Sequence, residues 1–328
     1  MNIFPARYLL YGEVQERVLD RRIGRRNRFH RPAHSAVPLC VLCGSIRGSA
    51  LPATIQPAMK IALIQQHATH DPEENLKRGV AAYRQAAAQG AQLIAYAELA
   101  LRRFFPQSRR NGAALPEAEP IPGPTSQAFS RLARQHGVVT VLNLYEADGQ
   151  RRFDSSPVID ADGSLLGVTR MLHIMDGPCF HETDYYHPGD SGAPVYDTAA
   201  GRIGVAICYD RHYPEYMRAL ALKGAQLVVV PQAGAVDEWT AGLFEAELQI
   251  AALQNGYFTA LVNRVGVEEC LEFAGESFLA GPDGTLLGQA PRGEDFILTA
   301  ELDYSQLEQS HARRHFLPDR RPEIYPLG

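Results

Sequence analysis

The chain has 328 residues, a net charge of −5, 45% hydrophobic and 21% charged residues. That composition suits one large globular domain or two small ones, with enough chain to bury a sizeable core. It lacks the basic domain typical of nucleic-acid binders and the run of roughly 18 apolar residues that a membrane span requires.

Residues 1–58 differ from the rest. They are rich in Arg and contain no Lys, and "RRIGRRNRFHR" shows no useful apolar periodicity. Such a head reads as a transit peptide or, preferably, as a disordered or non-native extension ahead of a true start at Met59. "CVLC" at Cys40–Cys43 has metal or redox spacing but no second pair to complete a zinc site. The five cysteines, Cys40, Cys43, Cys179, Cys208 and Cys270, are odd in number and irregularly spaced, a poor disulfide framework. A cytoplasmic chain with reduced thiols is expected.

From Met59 onward strand and helix patterns alternate. "KIALIQQ" reads as a strand. "DPEENLKRGVAAYRQAAAQG" reads as a helix with Asp71 as N-cap, Pro72 in first position and Gly90 as its stop. "AQLIAYAEL" is a strand, and "TSQAFSRLARQHG" is a helix capped by Thr125 or Ser126 and closed by Gly137. "VVTVLNLYEADG" is a strand. "SSPVIDADGSLLGVTRMLHI" is a pair of strands with "DADG" at the turn. "RIGVAIC" is a strand ending at Cys208, followed by the helix "YPEYMRALALKG" and the strand "AQLVVVPQA". "GLFEAELQIAALQNG" is a helix, "YFTALVNRVG" a strand, "ESFLAGPDGTLLGQAP" a hairpin, and "DFILTAELDYSQLEQSHARR" a strand running into a helix. This alternation predicts an α/β fold with mixed sheets over residues 59–328.

Cys208 sits on a strand-to-helix corner. Helix N-terminal amides there lower a thiol pKa and stabilise an oxyanion; a buried small hydrophobe is the equally good alternative. Glu98, at the end of an apolar strand, is the candidate proton acceptor, because a carboxylate is costly to bury there unpaired. The loop "HIMDGPCFHETDYYHPGD" is rich in ionisable and aromatic residues. His173, His181 and His187 are spaced too irregularly for a zinc site, and Cys179 reads as a packed residue. No metal is expected.

These strings resemble the nitrilase superfamily of carbon–nitrogen hydrolases, with the N-carbamoyl amide hydrolases closest. "AELALRRFFPQ", "HIMDGPCFHETDYYHPGD", "GVAICYDRHYPE", "ALKGAQLVVVPQA", "LVNRVG", "ESFLAGPDG" and "DRRPEIY" carry the resemblance in the same order, from about Met59 to the C-terminus. It implies an αββα sandwich that pairs into a four-layer homodimer or larger homo-oligomer, with the tail "HARRHFLPDRRPEIYPLG" reaching across. It implies a Glu–Lys–Cys triad without cofactor, acting on a small amide or N-carbamoyl substrate. By the resemblance Cys208 is the nucleophile, Glu98 the general base, and Glu182 a supporting acid. The Tyr209 N–H forms part of the oxyanion hole, and Arg211 occupies a carboxylate-binding position. Glu238, Trp239 and Phe244 lie where family pockets are lined.

The triad lysine is absent: Met171 stands in its place. If the strand continues, Arg170 and Leu172 face away from the Met171 side and His173 returns to it about 6–7 Å further on. His173 is then the only local substitute, although a structural histidine is the simpler account. Three functions remain open: a hydrolase with an altered site, a weakened homologue that binds a small amide, and an acyltransferase that uses an amine in place of water.

Overall fold

The computed structural model describes residues 58–325. The arginine-rich head and the Cys40–Cys43 pair lie outside them. Two mixed sheets carry the fold. The first runs Phe296–Leu302, Met59–Gln65, Leu93–Tyr96, Val139–Val141, Arg151–Ile159, Leu144–Asp148, with Leu165–Arg170 also paired to Arg151–Ile159. The second runs Leu286–Gln289, Phe278–Ala280, Phe258–Asn263, Leu227–Gln232, Gly201–Val205, Val195–Thr198. Parallel strands lie at the centre of each, as crossover helices require, and hairpins supply the antiparallel edges.

Helix α1 (Pro72–Ala88) starts where Asp71 accepts the Glu73 N–H at 2.9 Å. Helix α2 (Pro124–His136) starts one or two residues before the expected Thr125 or Ser126 cap. Pro124, whose fixed φ suits the first helical position, moves the boundary back to Gly123. Ser126 still serves the cap, its Oγ accepting the Gly123 N–H at 2.8 Å. Helices α3 (Pro214–Leu222) and α4 (Leu243–Asn255) follow the predicted segments.

Strand alternation sorts the side chains into layers. Val229 joins a core with Ile61, Leu93, Ile203 and Phe258, drawn from both sheets. Its neighbours Val228 and Val230 pack with Met217 and Leu220 of α3 and Leu248 of α4. On the far side Tyr96 meets Phe129 of α2 at 5.3 Å, and Phe129 meets Tyr83 of α1 at 5.9 Å. Helix, sheet, sheet, helix is the resulting order, as expected.

Three expectations change. The strand predicted over "VVTVLNLYEADG" breaks at Leu142–Asn143, where the Asn143 side chain takes up bonds across the site. The strand into "AIC" stops at Val205, short of Cys208. The thiols are not all reduced: Cys179 and Cys270 form a disulfide between Cα atoms 6.3 Å apart. Their 91-residue separation gave no spacing pattern to read, because the bond joins two loops that meet only in the fold. Cys208 is the free cysteine among the described residues. None of their helices is long and apolar enough to cross a membrane.

Candidate active site

The corner at Cys208 is tied down from both sides. After Gly201–Val205 the chain leaves the sheet, and Cys208 opens a 3₁₀ turn (Cys208–His212) at φ +44°. A side-chain-bearing residue in the left-handed region is uncommon and persists where its surroundings hold it. Arg211, on the same turn, donates from Nη1 to the Cys208 carbonyl at 3.0 Å and to Gln232 Oε1, and from Nε to Glu247 at 3.0 Å. Asp210 accepts from the backbone N–H groups of Leu172 and His173 at 3.0–3.2 Å and pairs with His173 Nδ1 at 2.7 Å. The thiol is buried.

Glu98 follows the strand Leu93–Tyr96 in the facing sheet. Its main chain is clamped by the buried Arg264, whose Nη1 reaches the carbonyls of Glu98 and Leu99 at 2.9 and 2.6 Å. Leu99, at φ +44°, donates its N–H to Asn143 Oδ1 at 2.8 Å. Asn143 Nδ2 in turn donates to Asp154 Oδ1 and to Ser156 Oγ. Glu182 begins the turn Glu182–Asp184, and its Oε2 accepts the Met175 N–H at 3.0 Å.

Glu98, Asp154, Glu182 and Cys208 gather in one electrostatic neighbourhood. Burial pushes Glu98 well above the ordinary carboxyl range, the charges of Asp154 and Glu182 push it further, and the Cys208 thiol pulls it back. Burial also raises Glu182 and Asp154; the Met175 N–H opposes the first shift, and Asn143 and Glu98 oppose the second. Burial raises the Cys208 thiol, Glu98 and Glu182 add to that, and Arg211 and the Ala233 N–H oppose it. Both carboxylate oxygens of Glu98, Glu182 Oε1, Asp154 Oδ2 and the Tyr186 hydroxyl are buried without a hydrogen-bond partner. Such groups cost free energy until something fills their lone pairs.

Among the described residues no lysine answers them. Met171 is 1% exposed and apolar, in the position expected to hold lysine. The chain has three lysines, Lys60, Lys77 and Lys223. Lys60 bonds the Gln89 carbonyl, Lys77 lies on α1 and Lys223 caps α3, all away from the site. Neighbouring Arg170 is spent on Glu146, Asp148 and Asp190.

The substitute suggested for the lysine is corrected. The strand ends at Arg170, so the alternation that brought His173 back beside Met171 does not extend that far. His173 turns to Asp210 and stacks on Tyr213 with centroids 3.4 Å apart. His181 approaches Asp176, and His187 bonds the Arg152 backbone, so the three histidines have separate partners. Among the described residues no three His, Cys, Asp or Glu side chains are arranged to hold a metal ion.

Arg211 is 3% exposed and already bonded through Nε and Nη1; only Nη2 lacks a partner. It borders a cavity of about 270 Å³ with His212, Trp239, Leu243, Phe244 and Glu247. Trp239 lines this cavity and meets the His212 ring at 5.1 Å. Glu238 lies beside it, exposed and accepting the Ala235 N–H at 3.0 Å. Sequence reading missed Asp154, Asn143 and Tyr186. The available signal was polar residues interrupting buried strands, as in "VLNLY" and "FDSSPVI".

The carbon–nitrogen hydrolase family model matches residues 60–312. The chain belongs to the carbon–nitrogen hydrolases. N-carbamoylputrescine amidase of Solanum lycopersicum is 33% identical over 281 residues, covering 81% of this chain and 93% of that protein. Citrullinase of Francisella tularensis subsp. tularensis is 32% identical, covering 81% and 96%. Among solved structures, a carbon–nitrogen hydrolase from Helicobacter pylori G27 superposes with a TM-score of 0.74 at 28% identity, covering 82% of this chain and 97% of that one. An amidase from Nesterenkonia sp. AN1 superposes with a TM-score of 0.70 at 29% identity, covering 82% and 96%; in that structure the acetamide moiety of fluoroacetamide is joined to the active-site cysteine. The family and the αββα fold therefore agree with the expectation from sequence.

Proposed function

We propose that this hydrolase cleaves a non-peptide C–N bond of an N-carbamoyl or amide-type substrate through a covalent intermediate on Cys208. The observation that carries the reading is Cys208 on a held, left-handed turn, hydrogen-bonded to a buried carboxyl, Glu98, that also shares a side-chain hydrogen bond with Asp154. Glu98 takes the thiol proton, the sulfur attacks the carbon, and Glu98 returns the proton to the departing nitrogen. Water, activated by Glu98, then releases the product. One carboxyl thus serves as base and acid in turn. The Tyr209 N–H, at the start of the turn where helical carbonyls cannot reach it, is the proposed oxyanion donor. Arg211, Trp239 and the cavity they border form the substrate-binding side. The mutant amidase whose cysteine carries the acetamide moiety of fluoroacetamide supports, by likeness, a nucleophilic cysteine.

Intact-protein mass after exposure to N-carbamoyl amines and amides tests this. A Cys208 adduct with turnover, lost in Cys208→Ala, is the expected result; no adduct across the panel overturns it. The missing lysine favours a second reading, a homologue that binds a small amide without turning it over. That reading expects Cys208→Ala to keep full ligand affinity and the parent to show no turnover.

A further inference from the structure

The chemistry a thiolate performs is set by what its site offers the atoms around the attacked carbon. An amide or urea carbon needs hydrogen-bond donors, because its oxygen becomes negative in the tetrahedral adduct. Among side chains the site offers two free donors, the Tyr186 hydroxyl and Arg211 Nη2, against a larger set of buried carboxyl oxygens. Both oxygens of Glu98, Glu182 Oε1 and Asp154 Oδ2 are buried and unpartnered. Asn143 Nδ2, the nearby amide donor, is spent on Asp154 and Ser156. Met171 contributes neither charge nor hydrogen bond.

We propose that the preferred substrate is an amidinium or guanidinium group, which carries its own positive charge at the carbon that Cys208 attacks. This rests on the Cys208 hydrolase reading above and puts the cationic isostere ahead of the neutral amide as its preferred substrate. Two independent features converge on it. The buried acceptor oxygens come from three different elements, just past the end of Leu93–Tyr96, the start of the turn at Glu182 and the middle of Arg151–Ile159, a set that suits a ligand with several in-plane N–H groups. The one cation acting on the cysteine, Arg211, is already matched by Glu247.

The chemistry dispenses with the absent lysine. Glu98 takes the proton from Cys208. The sulfur forms a bond to the cationic carbon while the C=N π pair moves to nitrogen, giving a neutral tetrahedral adduct with no oxyanion. Glu98 gives its proton to one nitrogen, which departs as ammonia with the C–N pair; a remaining nitrogen re-forms C=N and the thioimidate on Cys208 is cationic. Water loses a proton to Glu98 and its oxygen bonds to the same carbon. The C–S bond then breaks with its pair returning to sulfur, Glu98 reprotonates the thiolate, and the hydroxyl proton leaves with the ammonia. One amidinium and one water become one amide, or a urea from a guanidinium, and one ammonium. A lysine at Met171 would oppose such a substrate by like charge.

Matched probes separate the classes: acetamidine against acetamide, and butylguanidine against butylurea, with ammonia release as the readout. Labelling of Cys208 by 2-chloroacetamidine and by 2-chloroacetamide, each normalised to its rate with a free thiol, is followed by mass. A preference for the cationic partner of about tenfold or more is expected, the worth of one charged hydrogen bond. Asp154→Asn, close in shape, should cut that preference several-fold, and Met171→Lys should turn it toward the neutral partner. A parent that favours the neutral probes overturns the proposal and leaves the Cys208 mechanism standing, as does a preference untouched by Asp154→Asn. Absence of turnover and labelling with every probe overturns both.

Discussion

Replacing Asp154 by Asn should stabilise the protein, and most at neutral pH and above. Asp154 is 1% exposed, with one oxygen accepting from Asn143 and the other unpartnered beside Glu98. Burial lifts its carboxyl from the ordinary 3.8 to about 7. Between those values the folded state keeps a proton that the unfolded chain has released, so stability falls as pH rises through the window. Each pH unit costs about 1.4 kcal/mol per group, and the window is about three units wide. Burial is the main cause, and because Asp154 shares a hydrogen bond with Glu98 about half of that total is assigned to Asp154 alone, on the order of 2 kcal/mol by the same conversion. The new amide has no proton to lose, and its oxygen still accepts from Asn143. Urea denaturation at pH 5 and pH 8 measures the effect, with the m-value checked for constancy. The variant should gain on the order of 2 kcal/mol over the parent at pH 8 and less than half of that, about 0.8 kcal/mol, at pH 5. Glu182, raised toward about 8, leaves a smaller residual slope in the variant. An equal gain at both pH values, or a loss at pH 8, refutes the idea that three buried acids repel one another here.

Arg264→Met should cost about 3–5 kcal/mol in urea, because it strands the buried Glu268 carboxylate and frees the carbonyls of Glu98 and Leu99. The same variant should lower kcat more than it raises KM, since it loosens the chain that presents Glu98. Cys270→Ser should cost roughly 2–4 kcal/mol by opening the disulfide, and peptide mapping without reductant should recover the Cys179–Cys270 pair from the parent. Asp210→Asn should reduce turnover without abolishing it, because the amide replaces only some of the bonds from Leu172, His173 N–H and His173 Nδ1 that hold the Cys208 turn.

The layers were legible because they follow from periodicity. Alternation along "LVVVPQ" and the helical spacing of "YPEYMRALAL" place Val228 and Val230 against α3 whatever the loops do. Cys208 and Glu98 were legible for a related reason: each is a reactive group at the end of an apolar strand. Asp154 was not, because a carboxyl within a strand reads as solvent-facing unless its neighbours are known to cover it, and the cover here comes from residues as distant as Glu98 and Glu182. The same limit hid the disulfide and left a lysine substitute open at His173, which is instead the structural histidine of the simpler account. Strand alternation carried His173 toward Met171, but the strand ended at Arg170 and tertiary contact with Asp210 decided its direction.

The lysine position and Asp154 are best understood as one electrostatic unit. A lysine at Met171 would let the neighbouring acids stay ionised as pairs. With methionine there, burial can be met only by protons or by an incoming cation. The resting site therefore holds protons on its acids and on Cys208, all of which are shifted upward. A cation arriving among the acids lowers all of these proton affinities together, releasing Glu98 to act as base at the moment substrate is present. A neutral substrate has no such effect and meets a protonated base and a protonated thiol. Substrate charge and nucleophile activation are thereby linked, so the thiolate forms when the matching cation is bound and stays suppressed in the empty site.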